Sequence, residues 1–205
     1  MDLFRQNLRL EMVRPDFRGI PECPLPPGFS LRWFQSGDAA HWLRIHHDAE
    51  PFHEITPEVF NREFGCDFER LSHCQCYLQD VAGRVVGTGT AWPAGQCPDG
   101  SWGRVFWLAI LRSYQGKGLG KPLLSAVCNR LQEQGHQRAL VFTSTGRLPA
   151  VNLYLNHGFQ PQIKTESDRA VWDRVFAALR ESGRLREPAA LLDACREPTR
   201  AGAGM

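Results

Sequence analysis

Residues 114–124 read YQGKGLGKPLL, and this stretch decides between several possible folds. Glycines stand at positions 116, 118 and 120, two lysines accompany them, and an apolar run follows. The stretch therefore has the form of a flexible loop that opens into a helix. Glycine lets a backbone approach a ligand closely, and the N-terminus of a helix favours negative charge. The pattern predicts a site for an anionic phosphate group.

Two common phosphate-binding loops do not fit this stretch. A Walker A loop would need glycine at position 115 and serine or threonine at position 122, which are Gln115 and Pro122. A dinucleotide fingerprint that starts at Gly116 would need glycine at position 121, which is Lys121. That fingerprint also belongs early in a domain, whereas several predicted strands precede this loop.

The surrounding pattern predicts a mixed sheet. A strand, a helix and another strand around the glycines indicate a parallel pair, whereas a hairpin over HCQCYLQD and VVGTGTAW indicates antiparallel neighbours. The predicted fold class is α/β (α+β): one domain with a mixed, mostly antiparallel sheet and helices on both faces. In chain order we expect a strand over 29–34, helices over 38–47 and 57–64, the hairpin, a strand over 104–111, a helix over 121–134, a strand over 138–145, a helix over 149–157 and a strand over 159–165.

Residues typical of helix ends support the predicted helix boundaries. Ser36 or Asp38 is expected to cap the first helix, and Thr56 to cap the second, with Pro57 at its first position. Gly135 and Gly158 stand where glycines commonly follow a helix.

The chain divides into three parts. Residues 1–28 hold five prolines and are predicted to form an extended arm after a short helix, residues 29–165 form the domain, and residues 166–205 form a C-terminal helix and a flexible tail. The helix has an apolar stripe, which we expect to be packed rather than exposed. The stripe comprises Val171, Trp172, Val175, Phe176 and Leu179.

Composition gives no support for a nucleic-acid-binding, membrane or fully disulfide-bonded protein. The chain has 205 residues, 42% of them hydrophobic, and a net charge of +2, which gives no argument for nucleic acid or membrane partners. Its seven cysteines cannot all pair, and we expect reduced thiols in a soluble cytoplasmic protein. Cys74 and Cys76 are predicted to share one face of a strand, and they and Cys128 are expected to pack in the core.

Two motifs resemble one enzyme superfamily. The pattern Q-x-x-G-x-G, from Gln115 to Gly120, resembles the pyrophosphate-binding loop of the GCN5-related N-acetyltransferases. Residues 150–159, AVNLYLNHGF, resemble a later signature of the same superfamily, A-x-x-L-Y-x-x-x-G-F. The strand that precedes the loop is also similar at Leu108, Ala109 and Ile110. The resemblance covers roughly residues 29–165.

The resemblance implies an acyl-CoA N-acyltransferase fold, in which the parallel pair splays apart and coenzyme A lies in the gap. Acetyl-CoA is then the expected co-substrate. Tyr154 corresponds to the general acid of many members, and the backbone N–H of Ile110 would stabilise the oxyanion. The implied cofactor-binding residues are Leu108, Ile110, Gln115, Gly116, Lys117, Gly118, Leu119, Gly120, Lys121 and Asn152.

The sequence departs from the superfamily pattern at two places. Arg147 stands where many relatives have asparagine, and Asn152 lies at a different helical angle. The strand GRVFWLAIL has no acidic residue, so a base, if the reaction uses one, comes from elsewhere. The expected source is residues 46–56, HHDAEPFHEIT, with Glu54 or His53 preferred. The cluster there comprises His46, His47, Asp48, Glu50, His53 and Glu54.

The predicted function is transfer of an acetyl group from acetyl-CoA to a primary amine by direct attack, with Tyr154 and Glu54 as catalytic residues. The alternative is a non-catalytic acyl-CoA-binding or regulatory module of the same fold. A third hypothesis is a metal-dependent hydrolase built on the 46–54 cluster. However, no HExxH spacing occurs, and no metal is expected. The acceptor would be a small or peptide-borne amine, and the protein a monomer or a homodimer.

Overall fold

The structure is a computed structural model of the chain and describes residues 3–95 and 100–183. The chain forms two compact units, one of Val13–Phe142 and one that combines Met1–Met12 with Thr143–Met205. The flexible tail predicted after the last helix, from residue 184 onward, lies outside the described residues. No helix of the described part is both long enough and apolar enough to cross a membrane.

The larger unit contains a mixed sheet with the strand order β2-β3-β4-β5-β6. Neighbouring strands are antiparallel from β2 to β5, whereas β5 and β6 are parallel. The prediction of a mostly antiparallel sheet with one parallel pair is confirmed. The strands are Ser30–Trp33 (β2), Gln75–Gln79 (β3), Val85–Pro93 (β4), Trp102–Ile110 (β5) and Arg138–Ser144 (β6), whose last two residues belong to the other unit.

Among the described residues of this unit there are four α-helices, and three of them were predicted. They are Asp38–Ala49 (α2), Pro57–Phe64 (α3), Phe68–Cys74 (α4) and Gly120–Glu133 (α5). As predicted, the Thr56 side chain caps α3 by accepting the backbone N–H of Val59, at 3.4 Å. Helix α2 begins instead after Gly37, which has no side-chain capping bond, so neither Ser36 nor Asp38 is its N-cap residue.

Helix α4 corrects the predicted start of the hairpin. Asp67 caps it by accepting the N–H of Arg70 at 2.9 Å, and the helix continues through His73 and Cys74. The prediction that Cys74 and Cys76 share one face of a strand is therefore wrong, since only Cys76 lies in β3. Both thiols are nevertheless buried, as expected, and so is Cys128.

Helices cover both faces of this sheet. Gly103 of β5 lies against α5, because a Cβ atom placed there would be 2.5 Å from Cδ2 of Leu131. Phe106 projects to the opposite face, where its ring centroid lies 5.6 Å from that of Phe64 on α3. Helix α2 packs on the same strands, β4 and β5. Strand β5 is therefore covered by helices on both faces, and its C-terminal end leads into the glycine-rich stretch.

The smaller unit is formed by both ends of the chain. Its elements are Leu3–Gln6 (α1), Arg9–Arg14 (β1), Leu148–Leu155 (α6), Gln160–Pro161 (β7) and Glu166–Glu181 (α7), and the last two residues of β1 belong to the larger unit. Strand β1 was not predicted. The Leu8 carbonyl accepts the N–H of Thr145, and the Glu11 carbonyl accepts that of Gln162, both at 2.9 Å. Strand β7 is much shorter than the predicted strand over 159–165.

The C-terminal helix is packed, as predicted. Thr165 and Asp168 form a reciprocal capping box at its start, with bonds of 3.1 and 2.9 Å. Four members of its apolar stripe, Trp172, Val175, Phe176 and Leu179, are buried, and Val171 is half-buried.

Candidate functional site

Strand β5 has a bulge at Trp107. Thr88 of β4 pairs with Ala109 and Thr90 pairs with Phe106, so Trp107 and Leu108 together stand opposite Gly89. Trp107 has a φ of 48°, in the left-handed region that bulky residues rarely adopt. Such bulges redirect a strand and often lie next to functional sites.

The pairing of β5 with its parallel partner β6 ends before the bulge, although both strands continue. The register between β5 and β6 covers Trp102–Val105 opposite Arg138–Val141, whereas β5 continues to Ile110. The segment from Phe106 to Ile110 contains Leu108 and Ile110, whose backbone groups were expected to bind the cofactor. The splayed parallel pair implied by the resemblance is confirmed, since the pairing ends at Val105 and Val141.

A short 3₁₀ turn, Arg112–Tyr114, connects β5 to the glycine loop, which we define as residues 115–121. The side-chain amide of Gln115 donates to the carbonyl oxygen of Ile110 at 2.9 Å. The Tyr114 hydroxyl donates to the carboxylate of Asp80 at 2.7 Å, which fixes the turn from its outer side. Gln115 thus ties the loop to the end of the strand.

The glycine loop offers several unused N–H groups. Gly116 and Gly118 have φ values of 76° and 79° and are exposed, and a Cβ atom at either would meet no atom within 4 Å. Within the described residues, the backbone N–H groups of Gly116, Gly118, Leu119 and Gly120 have no hydrogen-bond acceptor. Helix α5 also begins without a side-chain cap and without an acidic residue in its first turn. These groups fit an anionic pyrophosphate.

Positive charge stands beside the loop. Lys117 is exposed, with its Nζ 4.5 Å from the ring centroid of Tyr114, and Lys121 is exposed in the first turn of α5. Open N–H groups and lysines both favour the binding of phosphate oxygens.

Members of the acidic and histidine-rich cluster at residues 46–54 make different contacts. The Asp48 carboxylate accepts the backbone N–H of Arg112 at 2.6 Å, so it holds the turn that leads into the glycine loop. The Glu50 carboxylate accepts the N–H of Phe52 at 2.8 Å. No local sequence signal indicated the bond of Asp48, because its partner lies 64 positions later in the chain.

Two other members of the cluster, His53 and Glu54, line a pocket of about 470 Å³, which we call the Trp107 pocket. Glu54, the predicted catalytic carboxylate, is exposed there, next to His53. Sequence analysis did not identify Trp107, although it lies in the same strand as the predicted cofactor-binding residues. The pocket is lined by Phe52, His53, Glu54, Val59, Arg62 and Trp107.

His46 lies in an aromatic cluster and not in the pocket lining. Its ring centroid is 4.3 Å from that of Trp42 and 5.0 Å from that of Trp107. Burial lowers the pKa of His46 to about 3, although a hydrogen bond with the backbone of Trp107 acts in the opposite direction. His46 is therefore neutral near pH 7 and is a poor proton acceptor for catalysis.

The folded state should lose stability in acid because of His46. The unfolded chain binds this proton near pH 6.5 and the folded chain near pH 3, so stability is complete above 6.5 and falls as the pH drops toward 3. Between these two pH values, we expect protonation of His46 to lower the free energy of unfolding by about 1.4 kcal/mol for each unit by which the pH falls. Urea unfolding between pH 4 and 7 should show a flatter pH dependence for His46→Gln than for the wild type.

The exposed neighbour His47 supplies the matched control. His47→Gln removes an exposed imidazole from the same helix, so it controls for the loss of a histidine side chain as such. An identical slope for His46→Gln and wild type would show that His46 is not the group that titrates on unfolding.

The second motif lies in the smaller unit and is considered within it. Tyr154 is on α6, is 5% exposed, and its ring lies edge-on to Phe159 with the centroids 5.7 Å apart. The amide oxygen of Asn152 accepts a hydrogen bond from the side chain of Asn156, at 3.1 Å. Gly158 has a φ of 77° and follows the end of the helix, as predicted.

No candidate metal centre was found in the described ranges, 3–95 and 100–183, where no three His, Cys, Asp or Glu side chains are grouped suitably. The five cysteines in those ranges are free thiols. Burial raises the pKa of Cys76 and of Cys128 to about 12, so these thiols are protonated near pH 7 and unreactive.

Comparison with known sequences matches this chain to one family. The acetyltransferase (GNAT) family matches residues 39–159, more than half of the chain. A mycothiol acetyltransferase from Pseudarthrobacter chlorophenolicus is 31% identical over 147 residues, which are 68% of this chain and 45% of that protein. The chain spans about half the length of the curated relatives that it matches.

Two solved structures share the fold. A GCN5-related N-acetyltransferase from Sphaerobacter thermophilus has a TM-score of 0.64 at 18% identity, over 75% of this chain and 48% of that one. The yncA protein from Salmonella typhimurium, solved with its cofactor acetyl-CoA, has a TM-score of 0.55 at 16% identity, over 64% and 79%.

Proposed function

This chain belongs to the acetyltransferase (GNAT) family, and from that premise we propose that it transfers an acetyl group from acetyl-CoA to a primary amine. The observation that carries the proposal is the glycine loop. It follows the splayed strand β5, opens α5, and leaves four N–H groups without acceptors in the described residues. A loop of this kind is suited to the two phosphates of coenzyme A.

Acetyl-CoA, the acetyl donor, would be held by backbone groups more than by side chains. Gly116, Gly118 and Gly120 would let the loop approach the phosphates, with Leu119 and Lys121 completing the first turn. Lys117 would add charge, and Leu108 and Ile110 would pair with the amide groups of the pantetheine arm. Gln115 would act indirectly, because its side chain already bonds to Ile110. Asn152 remains a further proposed contact in the smaller unit.

The chain's own residues would handle the protons. Acetyl-CoA supplies an activated thioester: the amine nitrogen bonds to its carbonyl carbon, and the carbon–sulfur bond breaks. An alkyl ammonium has a pKa of about 10.4, so Glu54 would accept its proton before or during attack. The Ile110 N–H would stabilise the charge on the carbonyl oxygen, and Tyr154 would donate a proton to the departing thiolate.

Release of thiol from acetyl-CoA in the presence of amines tests this proposal. We expect release that depends on the amine, and we expect Glu54→Gln to lower kcat/KM for the amine about tenfold or more. Its affinity for coenzyme A should stay the same. Glu69→Gln, at an exposed glutamate of α4 outside the pocket, is the matched control.

The possible outcomes separate catalysis from simple binding. Binding of coenzyme A without thiol release from any amine would contradict the enzymatic proposal and favour the non-catalytic module. Equal kcat/KM for Glu54→Gln and wild type across pH 6–9 would remove Glu54 from the mechanism and leave the transfer itself in place.

A further inference from the structure

The Trp107 pocket combines an apolar wall with a charged rim. Phe52, Val59 and Trp107 supply the apolar surface, and Phe52 is 37% exposed. Glu54 and Arg62 supply opposite charges. A volume of about 470 Å³ is sufficient for a small organic ligand.

Trp107 is held rigidly at this wall. Its indole packs edge-on against Trp42 and His46, with both centroid distances 5.0 Å. Trp42 is fully buried and packs in turn on Phe60 and Phe64 of α3, at 5.3 and 5.6 Å. The left-handed backbone at the bulge sets the direction of the indole. Because the half-buried indole is backed by a closely packed aromatic cluster, its exposed surface is preorganised for a ligand.

The rim offers one negative group for an ammonium ion. Glu54 is exposed and makes no ion pair within the part of the chain that the structure describes. Arg62 is paired with Glu63, at 3.0 and 3.1 Å, so these two residues add no net charge to the rim. A polyamine or an aminoglycoside carries several positive charges, which this rim would not balance. The charges thus favour a ligand with one ammonium group.

We propose that the acceptor is a monoamine whose ammonium group is joined by a short chain to a flat aryl group, which stacks on Trp107. The ammonium group would lie at Glu54, and Phe52 and Val59 would enclose the ring. Aromatic side chains favour such partners through offset or edge-on contacts and through attraction of a cation to the ring face. This inference depends on the proposed acetyl transfer and identifies the substrate class of the same site.

An acceptor panel with matched shapes tests the inference. We expect kcat/KM for 2-phenylethylamine and tryptamine to exceed that for 3-methylbutylamine about tenfold, with spermidine below all three. Trp107→Leu should remove this preference with little change in KM for acetyl-CoA, and Trp107→Phe should restore most of it. Val59→Phe should also weaken the use of aryl amines, because it fills the pocket from α3 without altering the bulge.

Direct measurement of amine binding tests the pocket independently of acetyl transfer. Calorimetry in the presence of coenzyme A should show tighter binding of 2-phenylethylamine than of 3-methylbutylamine, and Trp107→Leu should abolish the difference. If that difference is present without thiol release from any amine, the pocket assignment stands and the transfer proposal fails. Preference for spermidine, or equal use of aryl and alkyl amines, would overturn the aryl-monoamine assignment.

Discussion

Tyr154→Phe should lower kcat about 100-fold or more, with little change in the affinity for coenzyme A. The departing thiolate needs a proton, and loss of a single general acid has an effect of this size. Rapid-mixing measurements with acetyl-CoA and a verified amine would isolate the chemical step from product release. The phenylalanine ring can keep the edge-on contact with Phe159, so the loss would report on the hydroxyl group.

Tyr77→Phe provides the matched control. Tyr77 is fully buried, and its hydroxyl bonds to the backbone of Asp38 and the side chain of Gln75. Removal of this hydroxyl should reduce thermal stability and leave kcat close to the wild-type value. An unchanged kcat for Tyr154→Phe, when chemistry limits the rate, would assign the proton to water or to another group.

Gly118→Val should weaken the binding of coenzyme A by about 10- to 100-fold. A β-branched residue is strained at the φ of 79° that Gly118 adopts, and relief of the strain would turn the loop's N–H groups away from the phosphates. Titration calorimetry with coenzyme A measures the loss directly, and circular dichroism confirms that the variant is folded.

The other end of α5 offers the control for this substitution. Gly135 has a φ of 85°, and a Cβ atom there also meets no atom within 4 Å. Gly135→Val should therefore carry a similar backbone strain and a similar loss of stability, with unchanged affinity for coenzyme A. If both variants bind coenzyme A as tightly as the wild type, the glycine loop is not the phosphate site.

Local chemistry made most of the fold predictable. Thr56 and Pro57 indicated the start of α3, and Gly135 indicated the end of α5, because capping depends on residues a few positions apart. The glycine loop was predictable for the same reason, since the strand, the glycines and the helix are consecutive in sequence. The sequence also indicated the cluster that supplies Glu54 and His53 to the Trp107 pocket.

The features that were missed depend on distant contacts. Strand β1 is short and was predicted as part of a proline-containing arm. The bonds of Leu8, just before it, to Thr145 and of Glu11 to Gln162 join residues that are far apart in sequence. The bulge at Trp107 arises from pairing with β4 and packing on α2, neither of which leaves a pattern in β5 itself. His46 could be predicted as titratable, but its burial among tryptophans could not.

The close packing of β4 and β5 on α5 has a consequence for how the protein can vary. A Cβ atom at Gly103 would lie 2.5 Å from Cδ2 of the fully buried Leu131, and one at Gly89 would lie 3.0 Å from Cγ2 of Val127. A side chain at either glycine must displace these residues or lift the helix that presents the loop's N–H groups. Close packing at these two sheet positions therefore restricts how the helix that follows the glycine loop can vary, although neither glycine belongs to the loop.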